Sequence, residues 1–400
     1  MQPNFRRLRA VAAVAQHGTI ARAASSLHRS SPVVTRAVIE AEEEMGFPLF
    51  DRSRQGFRLT DKGHIVVARI RAALKHLTDA ETEIASRGFF AQNVSLRQLE
   101  AVISIAQHHT ETRAAEALAL SQPAVTRALG DLERMIAQQL FYRTARGMIS
   151  TLRGEQIVRR AKLALAEIEL IEGDLRALDG QLEGRVVVGA LPLASTLFVP
   201  KAIHLTLERF PDIRIKVQEG TYETFLSDLR CGELDVIVGA LRPHELNPDV
   251  NQEALFTDTL AVIARASHPL ASRASVTLKQ LIKEKWVLPR EGTPARARFN
   301  DIFKYTGATF PRSVVEAGSL VTVRGLLMEG DRVSVASPHQ FHFEITSGSL
   351  VILRAELEDT ARTIGISTRS DALPNPSVDA FTSALREACA ALKVSTNGKR

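Results

Sequence analysis

Four hundred residues with 45% apolar content suffice for two or three globular domains, and no apolar run is long enough to span a membrane. The formal charge of +6 is unevenly spread: Lys and Arg against Asp and Glu stand at 14 to 9 in residues 1–90, 11 to 11 in 91–180 and 26 to 25 in 181–400. The excess sits where a phosphate backbone would use it, and two distant cysteines, Cys231 and Cys389, argue against a disulfide framework and for a reducing cytoplasm.

In chain order, the first feature is a module that recurs. Residues 5–63 align with 96–154 at a constant offset of 91 without a gap, and 25 of the 59 pairs are identical. Two copies are too few for a solenoid and point to a duplicated functional unit. The basic, Ala-rich start belongs to this repeat and is interrupted by Gln16 and His17, which argues against a signal peptide.

Punctuation predicts what the unit is. In the first copy a helix around Ala21–Leu27 is followed by a break and by Ser30-Ser31-Pro32 opening a second helix; the second copy repeats the device with Ser121-Gln122-Pro123. Ser is a favoured N-cap, and Pro is tolerated in a first turn, where its missing N–H has no intrahelical partner. Two short helices joined by a tight turn form a helix-turn-helix, whose second helix enters the major groove. Behind each, "LFDRSRQGFRLTDKG" and "LFYRTARGMISTLRG" place basic residues around Gly56 and Gly147, as a two-stranded wing requires.

The DNA-facing candidates follow from position. Ser31, Val33, Thr35 and Arg36 in the first copy, and Gln122, Ala124, Thr126 and Arg127 in the second, lie in the turns that reach base edges, while Val34 and Val125 face the module core. Gln suits adenine, Arg suits guanine or phosphate, and a small apolar group suits the thymine methyl. The alternative for each polar position is that it only caps or solvates the helix. Arg52 and Arg143, in "LF.R", suit phosphate better than bases. Because the two helices differ at Ser31/Gln122 and Val33/Ala124, a pseudo-palindromic double-stranded operator with unequal halves is expected.

After each wing comes a helical seam: Val66, Ile70, Ala73, Leu77, Ala80 and Ile84, then Ile157, Ala161, Ala164, Ile168, Ile171 and Leu175, continuing to Leu178. Because both seams lie in one chain, they are expected to pair with each other, an antiparallel pair being bridged by residues 87–95; the alternative is that each merely covers its own module. From Gly184 the texture changes to short Val/Ile-rich strands alternating with amphipathic helices, the pattern of βαβ units with ligands at the carboxyl ends of strands.

These residues resemble the LysR-type transcriptional regulators, whose N-terminal signature runs close to "AA..L..SQPAVTRAL..LE...G..LF.R......LT..G". The first copy departs at Ser31 and Ala41, the second at Ala137 and Ser150. Most members have one such module, so the duplication is itself a departure. The later segments "GELDVIVGA", "ARASHPLA", "WVLPREGTPARARF" and "GLLMEGDRVSVASP" fall in the order of the family's effector-binding domain. The resemblance covers about residues 4–390. It implies a multidomain chain: two α-helical winged helix-turn-helix modules (1–63 and 91–154) with linker helices (64–90 and 155–180), then an α/β two-lobed effector domain (181–392) like a periplasmic binding protein. One lobe is expected over about 184–263 and 335–390, the other over about 264–334, with a flexible tail at 393–400.

In that fold the ligand sits between the lobes. By position Ser195 and Thr196 open the helix after the first strand, Thr293 and Arg296 lie on the second lobe's ligand loop, and Ser319 follows "EAG"; the set suits an acidic or hydroxylated small molecule. The alternative for each is an ordinary cap, turn or solvated Arg. Other chemistry finds no support: the sequence has no HExxH, CxxC, GxSxG or P-loop motif, so no enzyme, metal or cofactor is expected. His268 is expected in a turn at the hinge, Cys231 at a helix end, and His339, Phe341, His342 and Phe343 alternate like a strand. The expected function is a cytoplasmic, homo-oligomeric transcription regulator answering to a small-molecule effector. The alternative is a metabolite-binding protein or enzyme on the same fold with vestigial DNA modules, against which both copies keep "LF.R" and a capped recognition helix.

Overall fold

The computed structural model describes residues 4–53, 56–85, 90–306, 310–355, 357 and 359–397, and divides into two compact units: residues 1–184 with 230–233, and residues 185–229 with 234–400.

In the first unit, α1 (Phe5–His17) is capped by Asn4 and buries Phe5, Leu8, Val11 and Val14, one stripe at helical spacing. Thr19 caps α2 (Ile20–Ser26), and α3 (Ser31–Met45) buries Val34, Val38 and Ala41 against them. Strands β1 (Phe50–Ser53) and β2 (Gly56–Leu59) pair antiparallel as the wing, and Thr60 caps the long α4 (Asp61–Glu83). After the short α5 (Phe90–Asn93) the plan returns as α6 (Leu96–His108), α7 (Glu111–Ala117), α8 (Gln122–Ile136), the hairpin β3 (Phe141–Thr144) and β4 (Gly147–Ser150), and α9 (Leu152–Leu178). Ser30 and Ser121 do occupy the N-cap positions of α3 and α8, but neither side chain makes the capping bond, so Pro in the first turn is what both starts share. The start of α4 explains another repeated residue. A Cβ on Gly63 would lie 2.1 Å from the carbonyl oxygen of Leu49, and one on Gly154 would lie 2.1 Å from that of Leu140, so only glycine lets each long helix seat on its wing.

The two seams pair with each other within this one chain. Val66, Ile70, Ala73, Leu77 and Ala80 of α4, with Ile84 at its C-cap, are buried with Ile157, Ala161, Ala164, Ile168 and Ile171 of α9, and each large apolar side chain so buried contributes about 2 kcal/mol. Leu175 is only partly buried and Leu178 is 48% exposed, so the buried seam ends before Leu178, short of the expected continuation. Ion pairs fix the direction: Lys62 meets Asp179 near one end, Arg69 meets Asp174 and Glu167, and Glu83 meets Arg159 and Arg160 near the other, so the helices run antiparallel. Of the expected bridge, residues 87–89 lie outside the described residues, while Arg9 of α1 holds its end, donating to the carbonyls of Ala91 (3.0 Å) and Val94 (3.1 Å). Burial and the nearby charge of Arg6 bring the Arg9 pKa down to about 10.

The second unit carries two five-stranded sheets. In chain order its elements are β5 (Gly184–Ala190), α10 (Pro192–Thr196), α11 (Phe198–Arg209), β6 (Ile213–Gln218), α12 (Tyr222–Arg230), β7 (Val236–Ala240), β8 (Val250–Asp258), β9 (Ala261–Arg265), α13 (Leu278–Leu281), β10 (Lys285–Leu288), α14 (Pro294–Thr306), β11 (Val314–Glu316), α15 (Leu320–Met328), β12 (Arg332–Ala336), α16 (His342–Thr346), β13 (Leu350–Ile352), β14 (Arg362–Arg369) and α17 (Pro376–Asn397). One sheet runs β6-β5-β7-β14-β8 and the other β11-β10-β12-β9-β13; β5 is parallel to β7, and β10 to β11 and β12, whereas β14 and β9 bring antiparallel pairing into each.

This pairing moves the expected lobe boundaries. Strands 261–265, 332–336 and 350–352 all belong to the second sheet, so that lobe runs from 261 to 352 and the first resumes only at Arg362, not at 335. Residues 338–346 are not a strand: a 3₁₀ turn (Pro338–Phe341) leads into α16, because Ser337 and Gln340 form a reciprocal capping box and Pro338 has no N–H for a ladder. Phe341 is buried and Phe343 is 59% exposed, so they do not share the one buried face expected of an alternating strand. The last helix continues to Asn397, so 393–397 extend it rather than forming the expected tail, and 398–400 lie outside the described residues.

Candidate functional site

Each winged module presents the start of its second helix outward. In the first, Ser31 and Arg36 are exposed, Val33 is 55% exposed and Thr35 is half-buried, its hydroxyl returning to the carbonyl of Ser31 (2.9 Å). Arg36, whose side chain is 83% exposed, pairs with Glu40 at 2.8 Å, and the hydrogen bond from Arg36 holds the Glu40 carboxyl below its ordinary range. Val34 turns inward as expected. Arg52 lies on β1 opposite Phe57; its side chain is outside those described.

The second module places Gln122 and Arg127 on the surface, Ala124 and Thr126 half-buried, and Val125 in the core. Three of the four expected polar contacts here converge on one acid that the sequence reading passed over. Glu111, the first residue of α7, is 7% exposed and accepts from Arg143 Nη2 (2.7 Å), the Thr126 hydroxyl (2.7 Å) and Gln122 Nε2 (3.3 Å). The offset of 91 could have flagged it, because Ile20 stands at the matching place in the first copy.

In the second unit the expected effector residues gather at strand ends. β5 and β7 are parallel, so Ser195 and Thr196, which follow β5, share an edge with Arg242, which follows β7. Thr293, Ser319 and Ser337 follow β10, β11 and β12, the parallel strands of the second sheet. Carboxyl edges of parallel strands are where such sheets bind ligands. Several of these groups are already engaged. Ser195 donates to the carbonyl of Pro192, Thr196 to that of Gln340, Thr293 to that of Arg290, and Ser319 caps α15. Arg296 is 7% exposed and bonded to Asn300, the Pro289 carbonyl, Glu291 and Glu316, so it braces its loop instead of projecting as a solvated anchor.

Between the two sheets the sequence reading missed a buried junction. Asp258, at the end of β8, accepts from the Ser337 hydroxyl (2.7 Å) and from Arg362 Nε (3.0 Å) and Nη2 (2.8 Å). His339 packs its ring against Phe198 and Phe256, with centroids 5.3 and 5.9 Å away, and burial pushes its pKa below the ordinary histidine value. Arg242 lies 4.5 Å over the Tyr222 ring, and burial lowers its pKa as well. His268 does sit in a turn, donating its backbone N–H to Arg265. Among the described residues, no group of three His, Cys, Asp or Glu side chains could hold a metal, and no helix is long and apolar enough to cross a membrane.

Comparison with known proteins bears on both units. The pattern of the LysR substrate binding domain matches residues 179–390, and that of the bacterial regulatory helix-turn-helix protein, lysR family, matches residues 5–64 and 96–155. The chain is 37% identical over 386 residues to the HTH-type transcriptional regulator GalR of Pseudomonas putida, covering 96% of this chain and 97% of that protein. It is 30% identical over 298 residues to the HTH-type regulator YdcI of Escherichia coli, covering 74% of this chain and 97% of the other. Among solved structures, a full-length OxyR from Pseudomonas aeruginosa superposes with a TM-score of 0.57 at 25% identity, covering 74% of this chain and 95% of that one. CbnR, a LysR family regulator, shares the fold at TM-score 0.53 and 20% identity, covering 73% and 98%.

Proposed function

The chain belongs to the LysR family of transcriptional regulators, which bind DNA and respond to small-molecule effectors, and from that premise we propose that it is a regulator whose two winged modules form a pseudo-dimeric DNA reader within one polypeptide. The observation that carries this reading is the antiparallel pairing of α4 with α9 inside the chain, sealed by Arg69 on Glu167 and Asp174. The near end-to-end match to GalR, against three quarters of this chain for YdcI, supports a second module that belongs to the architecture. Module one spans 1–63 and module two 91–154, each followed by its linker helix. Ser31, Val33, Thr35 and Arg36 read one half-site, Gln122, Ala124, Thr126 and Arg127 the other, and Arg52 and Arg143 hold phosphates. Because the two sets differ, the operator is an asymmetric pseudo-palindrome.

The effector domain takes a small acidic or hydroxylated molecule between its lobes. Ser195, Thr196, Thr293 and Ser319 line the strand ends there, with Arg296 bracing the loop that carries Thr293. Ligand binding shifts the lobes between open and closed states, and the shift alters how chains associate in a homo-oligomer. The protein works in the cytoplasm, beside its DNA.

Footprinting on the intergenic DNA beside its own gene tests the reader. Arg36→Ala and Arg127→Ala are each expected to remove protection from a different half of one site. Loss confined to one variant would leave the other module as a structural partner only. For the effector, small acids and polyols are screened by thermal shift of the full chain, and Thr293→Ala is expected to abolish the shift produced by the active compound.

A further inference from the structure

Glu111 sits among the very groups with which the second module would touch DNA. Its two oxygens accept from Arg143 (2.7 Å), Thr126 (2.7 Å) and Gln122 (3.3 Å), and the Gln122 amide nitrogen also lies 3.4 Å from the Thr126 hydroxyl. The carboxylate is 7% exposed while the Arg143 side chain is 69% exposed, so the acid is anchored in the module and the arginine reaches over it from the surface. At the matching places of the first copy stand Ile20, Ser31, Thr35 and Arg52. Four residues therefore sum to +1 in the first module and to zero in the second.

We propose that Glu111 sets the DNA affinity of the second module, neutralising Arg143 and occupying the donors of Gln122 and Thr126, so that this module engages DNA more weakly than the first. The inference rests on the reading that the second module contacts DNA. Two physical effects act in the same direction. A cation already paired contributes less attraction to phosphate, and an anchored carboxylate repels the phosphates that approach it. Arg143 is the exposed partner and can turn toward DNA, but its release leaves a carboxylate only 7% exposed without its cation, a cost that counts against binding. What remains after that release is the negative charge of Glu111 close to the backbone. The first module, with Ile20 there, carries no such penalty, and the pair of modules forms a strong and a weak half-site reader.

The test uses the full chain, titrated by fluorescence anisotropy onto a short labelled duplex at a series of KCl concentrations, with far-UV circular dichroism confirming that each variant folds. Glu111→Gln is expected to tighten binding about fivefold and to steepen the salt dependence by about one counterion, as Arg143 becomes a full phosphate contact. Adding Arg143→Ala to it is expected to cancel both changes. Glu111→Ile, which installs the residue of the first copy, repeats the gain without a polar group at the site, and Ile20→Glu in the first module weakens binding by a similar factor. Unchanged affinity and salt slope in both Glu111 variants, with Arg127→Ala still weakening binding, would overturn the inference while leaving the second module a DNA reader. If Arg127→Ala and Arg143→Ala both leave binding untouched, the second module does not contact DNA, and the functional reading falls together with the inference.

Discussion

In the first winged module, Gly18 and Gly46 take the left-handed turns that end α1 and α3, at φ of 70° and 77°. The second asks the same of His109 and Ala137, at φ of 60° and 54°, a conformation that costs an L-residue about 1 kcal/mol. Elsewhere the copies exchange chemistry at three matched positions. Arg9, which ties down the segment before α6, is matched by Glu100, whose carboxyl desolvation pushes above the ordinary range; Ile20 is matched by Glu111, and His76 by Glu167. The template tolerates these swaps because the apolar stripe and the wing glycines that build each module are untouched. Among these exchanges Arg9 faces the connector, His76 and Glu167 face the other linker helix, and Glu111 faces the groups proposed to meet DNA.

The linker helices make the comparison sharpest. Arg69 and Arg160 are matched positions, 91 apart, and each reaches across to matched positions on the other helix: Arg69 to Glu167 and Asp174, Arg160 to His76 and Glu83. The pair thus has an approximate two-fold symmetry, broken where one helix has His76 and the other Glu167. The Arg69 and Glu167 side chains are each 2% exposed, whereas Arg160 is 14% exposed. Arg69→Ala, which strands a buried carboxylate, is expected to cost about 3 kcal/mol in urea unfolding of the full chain, and Arg160→Ala about 1.5 kcal/mol. Equal losses would mean that burial does not distinguish the two halves of the network.

The next effect is on the left-handed turns. Ala137→Gly is expected to stabilise the protein by about 1 kcal/mol and Gly46→Ala to destabilise it by about as much, read as opposite shifts in thermal midpoint. Shifts of the same sign would show that the difference between the copies is not one of backbone strain. The smallest effect is at Glu100. Its raised pKa means that the fold favours the protonated form, so the charged carboxylate weakens the fold at neutral pH, and that penalty fades as pH falls through the raised pKa and is gone below the ordinary glutamate range. Glu100→Gln is expected to raise the thermal midpoint slightly at pH 7 and to leave it unchanged near pH 4. A gain that persists at about pH 4 would assign the effect to something other than charge.

Much of the fold was legible because it is local. Pro in a first turn, the wing glycines and apolar residues three or four apart announce both helix-turn-helix units and both seams, and Val34 and Val125 face inward as their spacing requires. The candidate site was less legible. Glu111 reads as an ordinary first-turn acid until its three donors, 11 to 32 residues away, are placed around it. Arg296 reads as a surface cation until Asn300, Glu291 and Glu316 are seen to consume it. Residues 339–343 alternate like a strand, yet Ser337 and Gln340 cap a turn there.

By itself the sequence determined the helices and wings of the repeated module, the strand and helix alternation that begins at Gly184, the recurrence of a sixty-residue pattern at an offset of 91, and which family the chain resembles, since each is written in neighbours a few residues apart. Only the tertiary structure decided that α4 and α9 pair antiparallel within one chain, that β12 and β13 stay in the second sheet, and that Glu111 holds Arg143, Thr126 and Gln122. A seam or a strand specifies that it must be covered or paired but not by what. That choice among distant partners is made by burial, register and charge acting together in three dimensions.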